Sequence, residues 1–341
     1  MKILSLYSGG GGIDLGFKKH KFKTILAIEK WDLACKTLAK NKVASKVIRD
    51  DIRNVDFDSL KKQYKFDCIV GGPPCPPFSK SRFYLKSKKR AMQDEDSHTL
   101  VNYFLAIEKF KPKVFFFENV HGFVFKPHEA ALKYFIKQSN KLGYNIAHKV
   151  INCADYGVPQ IRQRFICVGF KKNLGKFIFP NETHSNQDKE NNLFCLPWIN
   201  CKEAIGDLDY PLKEDKDRLA GSKHKHLLKK IPPGDNYLFF TKERGYKKPL
   251  FKWRSRYWSF LLKLSPNKPS WTIQASFSNN MGPFHWKNRF LRINEIKRLQ
   301  AFPDDHEFVG DFSDQWRQIG NAVPPLLAEV ISKSIKNQLK N

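Results

Sequence analysis

The chain lacks several things that would place it elsewhere. It has no Cys-x-x-Cys pair, no leader-like opening, no apolar run long enough to span a bilayer and no internal repeat. Its seven cysteines (35, 68, 75, 153, 167, 195 and 201) are odd in number and scattered, which argues against a disulfide framework and weakens zinc and thioredoxin-like readings. The opening Met1-Lys2-Ile3-Leu4-Ser5-Leu6-Tyr7 runs straight into glycines and does not read as a signal peptide. Free thiols without a leader or a span point to a reducing, cytoplasmic compartment. Acids are scarce: 33 Asp and Glu face 61 Lys and Arg, a net charge of +28 spread along the chain. That balance calls for a polyanionic partner, nucleic acid first and an anionic membrane surface second. Abundant Lys, Asn, Ile and Phe also fit an AT-rich coding bias, which accounts for part of the excess. At 341 residues, two domains are the natural expectation.

What is present centres on one loop. The apolar run Phe66-Asp67-Cys68-Ile69-Val70 reads as a buried strand and leads into Gly71-Gly72-Pro73-Pro74-Cys75-Pro76-Pro77-Phe78-Ser79. Two glycines let the chain turn, and four prolines fix φ on both sides of Cys75. A loop this stiff is suited to holding one thiol at a set point, and a thiol is the strongest ordinary nucleophile near neutral pH. A lone cysteine is more often a small buried hydrophobe. Here its flanks favour a nucleophile.

Around that loop, strand-like and helix-like segments alternate. Strands are expected at Ile3 to Tyr7, Thr24 to Glu29, Val47-Ile48, Phe66 to Val70, Val114 to Phe117, Asn145 to Asn152 and Arg164 to Phe170. Helices are expected from Ile13, over Asp32 to Asn41, Leu100 to Phe110 and His128 to Leu142. This alternation predicts an α/β fold with a parallel sheet and a ligand at the carboxyl ends of its strands. Past about residue 171 the periodicity fades, and Pro, Lys and aromatics interleave, as in Phe251-Lys252-Trp253-Arg254 and Arg256-Tyr257-Trp258. A second, irregular region is expected there. Helical spacing returns at Ile293 to Phe302, with Asn294 as the expected cap, and after Pro325.

The first strand feeds Ser8-Gly9-Gly10-Gly11-Gly12. Glycines at such a turn allow close approach of a cofactor, and without a following Lys-Ser/Thr pair the turn is not a P-loop. Glu29, ending the second strand, can bond ribose hydroxyls. Asp51, after the third, can accept from an adenine amino group. By themselves these features fit a nicotinamide dinucleotide, S-adenosylmethionine or a plain structural turn.

Taken with the cysteine loop, the chain resembles the DNA (cytosine-5) methyltransferases over most of its length. Six motifs stand in that family's order: Leu4 through Phe17, Gly72 through Ser79, Glu118-Asn119-Val120, Gln160-Ile161-Arg162-Gln163-Arg164, Arg289-Phe290-Leu291 through Asp304, and Gly320-Asn321-Ala322-Val323-Pro324-Pro325. The resemblance implies a Rossmann-like, S-adenosyl-L-methionine-dependent catalytic domain, residues 1–180 plus 317–341. It implies a smaller, irregular target-recognition domain at 181–316 with a hinge at 287–316, and the terminal helix folded back beside the cofactor loop. The implied cofactor site comprises Tyr7, Ser8, Gly9, Gly11, Gly12, Glu29, Trp31, Asp51, Ile52, Pro73, Leu100, Asn321 and Ala322. Two departures stand out. Pro76 replaces the family's usual Gln or small residue. Lys30 occupies the place of the residue that stacks on adenine, with Trp31 one later, so either can be the one that packs there.

The chemistry follows from cytosine itself. C5 is a poor nucleophile until a thiolate adds to C6 and makes the ring an enamine. Cys75 is the candidate thiolate, and Glu118 the candidate acid at N3 if burial raises its pKa. Arg162 and Arg164, alternating in a strand, are expected on one face, toward the flipped nucleotide. No metal is required. A duplex hides the ring faces, so the base must be flipped out of double-stranded DNA. Candidate DNA contacts are Ser79, Arg82, Asn119, Gln160, Lys252, Arg254 and Arg256, although Lys252, Arg254 and Arg256 also fit solvated charges around an aromatic core. The family further implies a monomer at the bacterial nucleoid, protecting host DNA beside a cognate restriction endonuclease. Competing readings are an RNA cytosine-5 methyltransferase on the same scaffold, a non-catalytic DNA-binding relative and, more distantly, a dinucleotide oxidoreductase.

Overall fold

A computed structural model describes residues 1–74, 97–186, 194–216 and 220–339. The first half runs β1 (Lys2–Leu6), α1 (Gly12–Lys18), β2 (Lys23–Glu29), α2 (Asp32–Lys40), β3 (Lys46–Arg49), α3 (Phe57–Gln63), β4 (Cys68–Gly71), α4 (Ser97–Phe110), β5 (Val114–Val120), α5 (Glu129–Lys141), β6 (Tyr144–Asn152), β7 (Gln160–Ile161) and β8 (Gln163–Lys171). Seven strands form one sheet in the order β3-β2-β1-β4-β5-β8-β6.

The apolar strands are continuous because both sheet faces are covered. Along β5, Phe115 and Phe117 enter one layer with Leu4, Leu6, Ile69, Leu100 of α4 and Phe135 of α5. Val114 and Phe116 enter the other with Ile3, Val70, Phe17 of α1 and the C-terminal helix residues Leu327, Ala328 and Ile331. The strand's two-residue period divides one buried run between two cores.

The expected parallel sheet is in fact mixed: β8 runs antiparallel to both β5 and β6. No α-helix lies between β6 and β8. The link is a short turn at Cys153–Tyr156 and the two-residue β7, and a short link returns the chain antiparallel. Helix α3 was not anticipated. Its capping signal is local, with Asp56 accepting from the amides of Asp58 and Ser59, but only Phe57 and Leu60 are buried in a polar stretch.

The second region holds β9 (His184–Ser185), β10 (Leu196–Pro197), α6 (Cys201–Ile205), α7 (Lys225–Lys230) and β11 (Ser270–Trp271). It is followed by α8 (Ile293–Leu299), α9 (Phe312–Asn321) and α10 (Pro325–Gln338). Its irregular texture matches the polar, Pro-rich sequence. Arg292, not Asn294, caps α8, its amide donating to Glu295 Oε2 at 2.7 Å. The segment 287–316, expected as a hinge, contains α8, and a boundary between 316 and 317 falls inside α9.

As expected, the terminal helix returns to the glycine turn. α10 lies against α1, and a Cβ at Gly16 would stand 2.4 Å from the Pro325 carbonyl oxygen and 2.6 Å from Ala328 Cβ. Only glycine allows this approach. No helix among the described residues is long and apolar enough to cross a membrane.

Candidate active site

Strand β4 delivers the chain through Gly72 and Pro73 to the neighbouring end of β5. A Cβ at Gly72 would lie 2.8 Å from Glu118 Oε2, so the carboxylate rests directly against the loop backbone. Asn119 secures the same point, its Nδ2 donating to the Pro73 carbonyl at 3.4 Å while Oδ1 accepts from the Val120 amide at 2.9 Å. Asn119 is 2% exposed, so its amide orients the loop from within and does not face outward toward a duplex. Cys75, Ser79 and Arg82 lie outside the described residues. Cys75 follows Pro73 by two positions.

Glu118 is buried, and Arg164 Nε sits 2.8 Å from its Oε1. Burial raises its pKa, and the cations of Arg164 and Arg162 oppose that rise. The group is therefore easier to protonate than an exposed carboxylate, yet ordered by a guanidinium.

The two arginines take different partners, although both cations act on Glu118. Arg164 lies in β8 and pairs with Glu118, whereas Arg162 falls between β7 and β8, where the strand is interrupted. Arg162 is fully buried, and its guanidinium donates to the carbonyls of Ile273 (3.0 Å), Gly320 (2.8 Å) and Ala322 (3.0 Å) and to Gln160 Oε1 (3.4 Å). Gln160 is equally enclosed. Its Nε2 donates to Leu299 O at 3.1 Å and Gln300 Oε1 at 2.6 Å, and its Oε1 accepts from the Ile273 amide at 3.1 Å. Gln160 is thus a tie between the sheet and the second region, not a surface contact for DNA.

The neighbouring carboxyl end of β1 forms a cradle. Gly9 adopts a left-handed φ of +53°, and its amide donates to Glu29 Oε2 at 2.9 Å. The amide of Trp31 donates to Glu29 Oε1 at 2.8 Å. A Cβ at Gly9 would meet nothing nearer than 4.0 Å, so the turn is open above it, whereas Gly11 and Gly12 are packed against Leu38, Val43 and Val323. Tyr7 also has positive φ, +56°, and its hydroxyl donates to Thr99 O at 2.6 Å, tying the turn to α4. Ser8 Oγ turns back to Ser5 O at 3.2 Å. Asp51 is held by Arg53, with Nη2 to Oδ2 at 2.9 Å, and its pKa falls to about 2 chiefly through that bond. Ile52 and Leu100 are buried core residues. Lys30 is exposed and reaches Asp51 at 4.0 Å, while the ring of Trp31 is covered by the guanidinium of Arg317 at 4.7 Å. Asn321 is exposed at the end of α9, and the Ala322 carbonyl also accepts from Gln300 Nε2 at 2.7 Å.

Several residues that complete this end carry no local sequence signal. His306 Nε2 donates to Gly10 O at 3.0 Å, and Phe308 would touch a Cβ at Gly10 at 2.7 Å. Arg317 is a third. All come from far down the chain and reach the turn only through the fold. Gly72 differs, since it stood in plain sight beside Cys75, but the partner that requires it is forty-six positions away.

In the second region, Phe251 and Phe260 enter a core with Tyr237. Trp253, Tyr257 and Trp258 instead stay exposed beside Lys252, Arg254 and Arg256.

A glycine-rich turn with an ordered acid thus lies beside a buried carboxylate at the root of the segment that carries Cys75. The family model for C-5 cytosine-specific DNA methylase matches residues 1–337. Similar curated proteins include the type II methyltransferase M.SacI of Streptomyces achromogenes, 33% identical over 99% of this chain and 93% of that one. M.NgoFVII of Neisseria gonorrhoeae is 32% identical over 98% and 86%. Among solved structures, a prophage-encoded E. coli protein superposes with a TM-score of 0.71 at 22% identity over 100% of both chains. The Entamoeba histolytica methyltransferase EhMeth does so at 0.67 and 17%, over 100% of this chain and 99% of that one. The chain belongs to the C-5 cytosine-specific DNA methylase family and is a DNA (cytosine-5-)-methyltransferase by class.

Proposed function

We propose that this protein transfers a methyl group from S-adenosyl-L-methionine to C5 of a cytosine flipped out of double-stranded DNA at a specific sequence. The observation that carries this reading is the contact of Glu118 with the backbone at Gly72, which sets a protonatable carboxyl at the root of the Cys75 loop.

In this reading the Cys75 thiolate adds to C6 while Glu118 supplies a proton or hydrogen bond to N3, so charge does not build on the ring. With S-adenosyl-L-methionine bound, the enamine C5 would take its methyl group as the S–CH3 bond breaks and S-adenosyl-L-homocysteine leaves. A base, most simply water, then takes the C5 proton, and β-elimination re-forms the 5,6 double bond and frees the thiolate. Arg164 holds the Glu118 carboxyl in place. Arg162 positions the strand from beneath. The cofactor supplies the electrophilic methyl group. The open turn at Gly9, with Glu29 for the ribose hydroxyls, Asp51 for the adenine amino group and Trp31 beside them, fits its nucleoside end.

Residues 1–180 with 317–341 act as the catalytic part and 181–316 as the target-recognition part, with Lys252, Arg254 and Arg256 on phosphates. The curated relatives are named as type II methyltransferases, which supports a role beside a cognate restriction endonuclease, the enzyme working as a monomer on host DNA in the cytoplasm. The test is transfer of labelled methyl to unmethylated DNA, with total tRNA in parallel. Label on DNA that disappears in Cys75→Ala is expected, and bisulfite sequencing then reads the target site. Label on tRNA alone overturns the DNA assignment.

A further inference from the structure

Trp258 and Trp271 are an aromatic pair left in solvent. They are 53% and 37% exposed, yet their ring centroids lie 5.7 Å apart with the planes at 74°. Edge-to-face pairs of this kind ordinarily close a core. The local fold is not short of a core, because Phe251 and Phe260 pack on Tyr237 a few residues away. Trp253 and Tyr257 are exposed nearby as well, but Trp258 and Trp271 are the two of these rings that pair edge to face.

Their position is informative. Trp271 lies in β11, opposite Ile161 of β7, and the hydroxyl of Thr272 donates to Ile161 O at 2.8 Å. Two residues on, Ile273 turns inward and its carbonyl accepts from Arg162. Ile161 precedes by three positions Arg164, whose Nε is 2.8 Å from Glu118. Three extended residues cover about 10 Å, and paired strands stand about 4.8 Å apart. The backbone of Trp271 is thus within about 15 Å of Arg164, the partner of Glu118, a span comparable with the major groove of one duplex, about 12 Å wide.

We propose that Trp258 and Trp271 form an aromatic edge that stacks on the DNA bases beside the extruded cytosine and holds open the step it leaves. This rests on the reading of the protein as a base-flipping DNA methyltransferase. Charge selects DNA over a protein partner: the irregular segment leading to Trp258 carries Lys252, Arg254 and Arg256, all exposed, in a chain of net charge +28. Extruding a paired base breaks stacking, and an aromatic face replaces it without regard to base identity. The edge therefore serves opening and not sequence choice.

The experiment uses the full chain and a duplex carrying the bisulfite-mapped target. Methylation is followed on the fully paired duplex and on one whose target cytosine faces an abasic site and is already loosened. Trp271→Ala and Trp258→Ala are each expected to raise KM for the paired duplex about tenfold. Phe at either position should stay near wild type, and most of the loss should vanish on the abasic duplex. Cofactor affinity and Tm should not move, since both rings are exposed. Equal losses on both duplexes, or none on either, overturn the proposal. So does a wild-type dimer in sedimentation that Trp258→Ala dissociates, because the face then joins two copies. If wild type methylates no DNA, the enzymatic reading fails instead. The edge is then judged by anisotropy of a fluorescein-labelled bulged duplex, where equal affinity of wild type and the double Ala variant overturns it and about tenfold weaker binding by the variant upholds it.

Discussion

Gly72 and Glu118 approach so closely that a single methyl group would intervene: a Cβ at position 72 would stand 2.8 Å from the carboxylate Oε2. Backbone of the cysteine loop and the buried acid of β5 are therefore one unit. Gly72→Ala must displace the carboxyl, the loop or both. Since misplacement by about 1 Å costs on the order of 100-fold in rate, methylation should fall by that order while binding of S-adenosylmethionine, measured by calorimetry, stays near wild type. An alanine variant of full activity would separate Glu118 from the chemistry.

Glu118→Gln keeps the shape and removes the proton. A loss of roughly 10²- to 10⁴-fold in kcat is expected for a general acid. The wild-type rate should decline as pH rises through the pKa of Glu118, which burial lifts and Arg164 and Arg162 restrain. Arg164→Ala removes the nearest restraint, so the alkaline limb of the kcat profile should move to higher pH. A limb that moves down, or stays, would contradict protonation through Glu118.

Arg162 predicts a stability effect more than a chemical one. Its guanidinium holds the carbonyls of Ile273, Gly320 and Ala322 and the side chain of Gln160 in a fully buried site. Arg162→Ala leaves those acceptors without a donor and should lower unfolding free energy by about 3–5 kcal/mol, read by denaturant titration. Arg162→Lys should recover only part, because one ammonium cannot span acceptors on three segments.

His306 provides a pH signature. Buried under the glycine turn, it is neutral in the fold, its pKa lowered from 6.5 to about 4 mainly by burial. The unfolded chain takes up that proton first as pH falls. The histidine's contribution to stability is thus complete above pH 6.5 and declines as pH drops toward about 4. The full difference is on the order of 3 kcal/mol. His306→Gln should flatten this part of the curve relative to wild type, and a parallel curve would show that the imidazole does not titrate there.

Much of the catalytic half was legible because its signals are local. The run Val114 to Phe117 could only be a strand covered on both faces, and the glycines after Leu6 could only be a turn. The expected helix cap at Asn294 and the parallel course of β8 were not borne out. A cap depends on which side chain the entering loop presents, and strand direction depends on the length of the link, here too short for a crossover. Helix α3 escaped because two buried residues in a polar stretch make too weak a period.

The sequence alone determined the strand and helix alternation, the order of the six motifs, the place of the cysteine loop and hence the family, since each rests on the type and spacing of near neighbours. Only the tertiary structure decided that Arg162 is a buried tie and Arg164 the partner of Glu118, that Gln160 and Asn119 face inward, and that Trp258 and Trp271 pair while staying exposed. Arg162 bonds to residues 111, 158 and 160 positions away. Two arginines separated by one residue look alike in a sequence. What distinguishes them is a break between two strands and the carbonyls that packing brings to it.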